Sequence, residues 1–176
     1  MKKLDFSKLD LCDALDLAVL IEQEAEERYI EFSEKLGDRY KGDASELCRF
    51  MAVNEAKHGA ALQERRERLF GPISSRPSKM NRDMFFDAEA PDQGKPRAYM
   101  SPRQAIQMAL DAEKKAYDFF DSAIPYLTNS EVKMLFLELK QEELEHQELL
   151  SELLEKLPPS EGPDLDDDDL DEPPAL

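Results

Sequence analysis

The chain has 176 residues, with 40 acidic and 23 basic side chains, a formal net charge of -17 and a pI of about 4.5. This length suits one domain with a substantial core. The charge excludes nucleic acid and anionic membranes as expected partners, because both require a surface rich in lysine and arginine. The longest apolar run, Leu17–Ile21, is too short to span a membrane, and no signal-peptide pattern opens the chain. These features predict a cytoplasmic protein.

Two segments in the first half of the chain have the apolar period of an α-helix. The first covers about residues 11–36 and stops at Gly37, a residue that accepts the left-handed conformation on which helices often end. The second covers about residues 44–70 and stops at Gly71-Pro72. We expect both segments to be long helices.

Two further helical segments occupy the second half. The third opens with Ser101-Pro102-Arg103-Gln104, which supplies an N-cap serine, a proline at the first helical position and a capping-box glutamine. It ends before Pro125. The fourth has Thr128 as its predicted cap and runs to Leu157. Since no segment alternates like a strand, the sequence predicts an all-α, ferritin-like bundle of four helices.

The lengths of the connections predict how the helices are joined. Residues 37–43 and 125–129 are short connections, so helices 1 and 2 should form one antiparallel hairpin and helices 3 and 4 another. The linker at about 71–100 can run the length of the bundle. We expect helix 3 to start at the end where helix 1 starts, with the hairpins related by a pseudo-twofold axis. The bundle would span residues 1–157.

Residues 158–176 differ in composition from the rest of the chain. They include eight acidic residues and five prolines but no basic residue. Proline removes helix-forming amides and like charges repel each other, so this acidic tail is predicted to be disordered. It would serve either as a solubilising tail or as a docking or targeting peptide for a partner.

The two cysteines are predicted to be free thiols. Cys12 lies near the start of helix 1 and Cys48 about one turn into helix 2. In an antiparallel hairpin they would be about 30 Å apart, far beyond the reach of a disulfide. Free thiols agree with a reducing compartment.

Each predicted helix carries a glutamate in the middle of its apolar face. Helices 1 and 3 place a single glutamate there, whereas helices 2 and 4 add a histidine three residues later. The six residues are Glu22, Glu113, Glu55 with His58, and Glu143 with His146. Helix 3 repeats helix 1 at an offset of 91 residues, and helix 4 repeats helix 2 at an offset of 88. The chain is therefore a tandem pair of hairpins with the same polar pattern.

The charge of these glutamates predicts what lies between them. An unpaired buried carboxylate costs several kcal/mol or takes up a proton, and four together repel one another. Lysine and arginine are missing from the apolar faces at that level. Two divalent cations would balance four carboxylates, with the imidazoles as neutral ligands. The alternatives are a polar network in a plain bundle and a coiled-coil specificity device.

These motifs resemble those of the ferritin-like di-iron carboxylate superfamily and, within it, the rubrerythrin family, over about residues 11–157. The matching segments are Glu22-x-x-Ala25-x-x-x-Tyr29, Glu55-x-x-His58, Glu113-x-x-Ala116-x-x-x-Phe120 and Glu143-x-x-His146. The resemblance implies that Glu55 and Glu143 bridge two iron ions, that Glu22 and Glu113 are terminal ligands, and that each metal has one histidine.

The resemblance has two limits. Typical rubrerythrins carry a second glutamate three residues after the helix 3 ligand, where this chain has Ala116. They also add a rubredoxin domain, for which this sequence offers no Cys-x-x-Cys pair.

Three further residues have weaker signals. Asn54 and Glu142 each precede a predicted bridging glutamate. In similar proteins the side chain there bonds the outer nitrogen of the partner hairpin's histidine, although both positions also suit ordinary polar residues. Tyr29 lies one heptad beyond Glu22 and could donate to a ligand carboxylate, carry an electron or simply fill the core.

Two functions are compatible with this site. The first is an oxidoreductase, of ferroxidase or peroxidase type, in which two iron ions react with O2 or H2O2 and an unknown donor returns the electrons. The second is a non-enzymatic protein that sequesters or senses metal, with the tail contacting a partner. Manganese or a mixed-metal pair is also compatible with these ligands. Leu20, Ile21 and Ile30, read as apolar residues on the outside of helix 1, suggest a homodimer.

Overall fold

The computed structural model describes residues 4–37, 39–76, 78–80, 88, 91 and 100–157. Four long helices account for most of them: α1 Leu11–Leu36, α2 Ala44–Phe70, α3 Pro102–Ala123 and α4 Ser130–Lys156. Short 3-10 turns cover Phe6–Lys8 and Ile124–Tyr126. No strand occurs within this described part, so the predicted all-α bundle of four helices is confirmed.

The helix ends follow the polar residues that flank them. Ser101 and Gln104 form the predicted capping box at the start of α3. The cap of α4 is Asn129, whose side chain accepts from the backbone amides two and three residues on. The prediction of Thr128 was wrong, because its hydroxyl donates to the carbonyl of Ser7 in the N-terminal segment instead. Gly37 ends α1 with a φ of 63°, as its predicted role required.

The buried apolar side chains form two clusters at opposite ends of the bundle. The first core cluster joins the start of α1 to the end of α3 and the start of α4, and it includes Leu15, Ile21, Phe120, Phe136 and Leu139. The second core cluster joins the end of α1 to the starts of α2 and α3 and the end of α4, and it includes Tyr29, Phe32, Cys48, Ile106 and Leu150.

These clusters correct the predicted direction of α3. The start of α3 lies in the second core cluster with the end of α1, so α3 begins at the end where α1 finishes. Helix α2 has already returned the chain to the start of α1, and a crossover along the bundle then carries it to the opposite end. The two hairpins, α1 with α2 and α3 with α4, pack together in this orientation.

Two described residues of the crossover contact α1. Arg76 forms an ion pair with Asp10, and further along the guanidinium of Arg28 donates to the carbonyl of Pro91. The face predicted to form a dimer is therefore smaller than expected. Of its three residues, Ile21 is buried in the first core cluster and only Ile30 is exposed. The homodimer stays a prediction.

Cys12 and Cys48 are free and buried, as predicted. Burial raises the pKa of the Cys48 thiol to about 12. In the part of the chain that the structure covers, no helix is long and apolar enough to cross a membrane. The acidic tail at 158–176 and most of the crossover lie outside the described residues.

Candidate metal centre

Four buried glutamates share one layer between the two core clusters. On every helix the glutamate follows residues of one cluster and precedes residues of the other, because the helical period keeps all of them on the same face. Each of these residues is at most 3% exposed: Glu22, Glu55, Glu113 and Glu143. The structure therefore brings together the four carboxylates that the sequence singled out.

Both predicted histidines reach the same layer. His146 Nδ1 lies 2.9 Å from Glu113 Oε2 and 3.9 Å from Glu143 Oε2. His58 Nδ1 lies 3.9 Å from Glu22 Oε2 and 4.0 Å from Glu55 Oε2. The two imidazole rings stack on each other, with centroids 4.7 Å apart and planes only 6° from parallel. Each histidine thus lies beside the glutamates of its own hairpin and meets the other histidine between α2 and α4.

Two sets of three side chains are close enough to share a metal ion. Glu22, Glu55 and His58 offer ligand atoms that lie within 4.8 Å of one another, and so do Glu55, Glu113 and His146. Glu55 belongs to both sets and therefore stands between them. Glu143 is in neither set at this spacing, although it contacts His146 in the same layer.

The two imidazoles have different electrostatic surroundings. Burial and the neighbouring imidazole of His146 lower the pKa of His58. Burial also lowers the pKa of His146, but its hydrogen bond with Glu113 and the nearby acidic charges outweigh burial and leave that pKa raised. Only the neutral form of either ring can bind a metal.

The donor set fits divalent metals of the iron and manganese type. Carboxylate and imidazole ligands together suit Fe and Mn. Glu113 Oε1 is buried and has no hydrogen-bond partner among the described residues, while Oε2 contacts His146. Two arginines are buried in the described part: Arg66 pairs with Asp16, and Arg28 lies 3.9 Å from Glu24 and from Glu31.

The remaining predicted residues lie around the layer. Tyr29 is buried in the second core cluster, on the same face of α1 as Glu22. Asn54 is half-buried on α2, and Glu142 is exposed on α4. The functions suggested for these three residues stay predictions.

Sequence reasoning overlooked Gly59 and Arg66 on α2. A Cβ atom added at Gly59 would lie 3.4 Å from the Glu22 Cβ, so glycine allows α1 and α2 to approach closely beside the centre. Arg66 is fully buried and pairs with Asp16 at 2.7 Å. The burial of Arg66 could have been predicted from the sequence, because it follows the buried Leu62 by four residues and so lies on the same face of α2.

Comparison with known proteins agrees with this geometry. The sequence profile of the family named Rubrerythrin matches residues 13–160. The chain belongs to the rubrerythrin family. No curated protein matches the chain.

Two solved structures resemble this family member. An uncharacterized conserved protein from Magnetospirillum magnetotacticum MS-1, with a crystal structure at 2.00 Å resolution, is 26% identical with a TM-score of 0.64, and the match covers 88% of this chain and 100% of that chain. A hypothetical protein from Pyrococcus furiosus is 22% identical with a TM-score of 0.52 over 86% of this chain and 94% of that chain. The second similarity concerns the fold alone.

Proposed function

We propose that this rubrerythrin-family protein binds two divalent metal ions, iron in the first place, and that the loaded protein is an oxidoreductase acting on O2 or H2O2. The observation that carries the proposal is the buried layer of four glutamates and two histidines, in which two groups of three side chains offer ligand atoms within 4.8 Å of one another and four carboxylates can carry about four negative charges. Two divalent cations neutralise that charge. Manganese or a mixed pair would satisfy the same ligands.

The chain's own residues divide the work of holding the ions. Glu55 belongs to both candidate sets, which supports a bridging role. Glu22 with His58 would complete one metal position, and Glu113 with His146 the other. Glu143, beside His146, is proposed as the second bridging carboxylate by analogy with the family.

Bound iron would supply one-electron redox chemistry toward O2 or H2O2. The protein's part is to hold the imidazoles and carboxylates together in one layer that the core clusters cover at both ends. Tyr29 is proposed to donate a proton or carry an electron at the edge of the layer. The electrons would come from a donor of unknown class, in the cytoplasm.

Ala116 favours a second candidate function, in which the protein sequesters or senses metal without turnover. It is buried in the first core cluster at the position where typical rubrerythrins carry an additional glutamate. An apolar side chain at that position leaves one fewer ligand for a metal that changes its coordination during a reaction.

Anaerobic titration of the metal-free protein with Fe(II) tests the metal centre. We expect saturation near two ions per chain, and a stoichiometry near zero would overturn the proposal. Oxidation is then followed by the near-ultraviolet absorption of ferric iron after O2 or H2O2 is added in separate experiments. Two bound ions that neither oxidant changes would favour sequestration or sensing.

A further inference from the structure

The sides of the candidate centre differ in how they are covered. Along α1, Leu17 and Ile21 are buried and the crossover lies against the helix, with Ala88 in the first core cluster and Pro91 bonded to Arg28. On the other side, α2 and α4 meet along what we call the α2–α4 seam, which is defined by the His58–His146 stack and the Arg65–Glu138 ion pair.

At this seam the centre meets the solvent. The side chain of His58 is 30% exposed and that of His146 is 15% exposed, whereas the side chains of the four glutamates are at most 4% exposed. A small molecule that contacts the exposed part of these side chains contacts candidate ligands of the centre. The histidines are therefore both candidate ligands and the surface of the centre.

The seam is loosely packed on one side of the histidines. A groove of about 380 Å³ lies there, with Phe50 of α2 on one wall, Leu149 and Leu153 of α4 on the other, and Ile106 of α3 beneath. Leu149 is three residues after His146, so the groove begins one helical turn from the ring. On the other side, Arg65 and Glu138 close the seam with a contact of 2.6 Å.

We infer that the α2–α4 seam is the route by which metal ions and small oxidants enter the centre. The inference rests on the proposed function for what passes through, but the accessibility of the histidines can be tested without any metal. A bulky side chain in the seam should slow entry without removing a ligand.

Two adjacent alanines of α2 provide matched variants. Ala61 lies three residues after His58 and four before Arg65, so it shares the face that looks toward α4. Ala60 lies two residues after His58 and projects from a different face. Both are exposed, and both substitutions place tryptophan on the same turn of the same helix.

Metal entry can be timed with Co(II) alone, using stopped-flow absorption of the full chain. We expect Ala61→Trp to slow both binding and release by about tenfold, a rate ratio that corresponds to about 1.4 kcal/mol in the barrier, with the final stoichiometry unchanged. Ala60→Trp should behave like the unmodified protein. Equal rates in all three proteins would overturn the route.

Diethyl pyrocarbonate provides the second readout, because it acylates accessible imidazoles and the chain has only two histidines. In metal-free protein we expect His58 to react faster than His146, and Ala61→Trp, but not Ala60→Trp, to slow His58, as measured by peptide mass mapping. If His58 reacts as fast in Ala61→Trp as in the unmodified protein, the route is contradicted. If the unmodified protein binds no Co(II) while this protection is observed, the proposed function and the metal route both fail, and the seam remains only the side from which small molecules reach the histidines.

Discussion

The aspartates at the start of α1 and the glutamate in its middle, Glu22, have different neighbours. At the start of the helix, Asp10, Asp13 and Asp16 follow one another at three-residue steps. Their cationic partners are Arg76 at 2.8 Å, Lys79 at 3.2 Å and Arg66 at 2.7 Å. Arg66 also donates to the carbonyls of Gly71 and Arg76, so this row of aspartates holds the beginning of the crossover.

At the level of Glu22 the surroundings are different. Its neighbours include Glu55 and the imidazole of His58, and an imidazole can bind a metal only in its neutral form. The difference separates two uses of buried charge. A carboxylate with a basic partner stabilises the fold, whereas carboxylates gathered with imidazoles have the composition of a metal site.

The largest effect is expected from Glu55, the carboxylate common to both candidate sets. Glu55→Ala should abolish paired-metal binding, because neither metal position would keep its shared ligand. Metal analysis after anaerobic Fe(II) loading measures this loss. The exposed Glu64 on the same helix is the control, and Glu64→Ala should keep both ions. If the Glu55→Ala protein still binds two ions, Glu55 is not a shared metal ligand. The centre would then no longer differ in this way from the row of aspartates at the start of α1.

The next largest effect concerns Arg66. Arg66→Met leaves Asp16 buried without its cation, and we expect the free energy of unfolding to fall by about 3–5 kcal/mol. Denaturant unfolding of the metal-free protein measures the change. Arg68 is exposed on the same helix, and Arg68→Met should stay within about 0.5 kcal/mol of the unmodified protein. Similar values for both variants would show that the buried pair contributes nothing specific.

A smaller effect of opposite sign is expected at the centre. Glu55→Gln removes one of four crowded negative charges, so the metal-free protein should gain about 1 kcal/mol of unfolding free energy. Urea unfolding in the presence of a chelator measures this gain. Asp16→Asn is the comparison, since it removes an acid that has a basic partner and should destabilise the fold. Destabilisation by both variants would contradict the proposed contrast.

Deletion of residues 158–176 should have the smallest effect. The six candidate ligands all lie before this segment, so the number of bound ions should not change. The free energy of unfolding should stay within about 0.5 kcal/mol. Loss of metal on truncation would show that the tail belongs to the functional domain.

The ligand layer was predictable from sequence because it is local to each helix. A glutamate on an apolar stripe is visible at the helical period, and a histidine three residues later shares its face whatever the rest of the bundle does. The repeat between the hairpins then places the four stripes together. The capping box at Ser101 was predictable for the same reason, since its partners are three residues apart.

The incorrect predictions depended on contacts between distant parts of the chain. Thr128 and Asn129 are both good caps, and the bond from Thr128 to Ser7 decided between them. Ile21 lies beside Leu20 on the outer half of the helix, and it is buried in the first core cluster, which also includes Ala88 of the crossover. The direction of α3 also depends on where the crossover leads.

By itself the sequence determined four helices, their approximate ends and the set of six candidate ligands, because each of these follows from spacing within one helix. The tertiary structure decided which glutamate stands between the two candidate metal positions, which acids receive basic partners, and where the centre meets solvent. Those properties depend on separations of a few ångströms between different helices. Periodicity within a helix fixes which face a side chain occupies, but only packing fixes what that face meets.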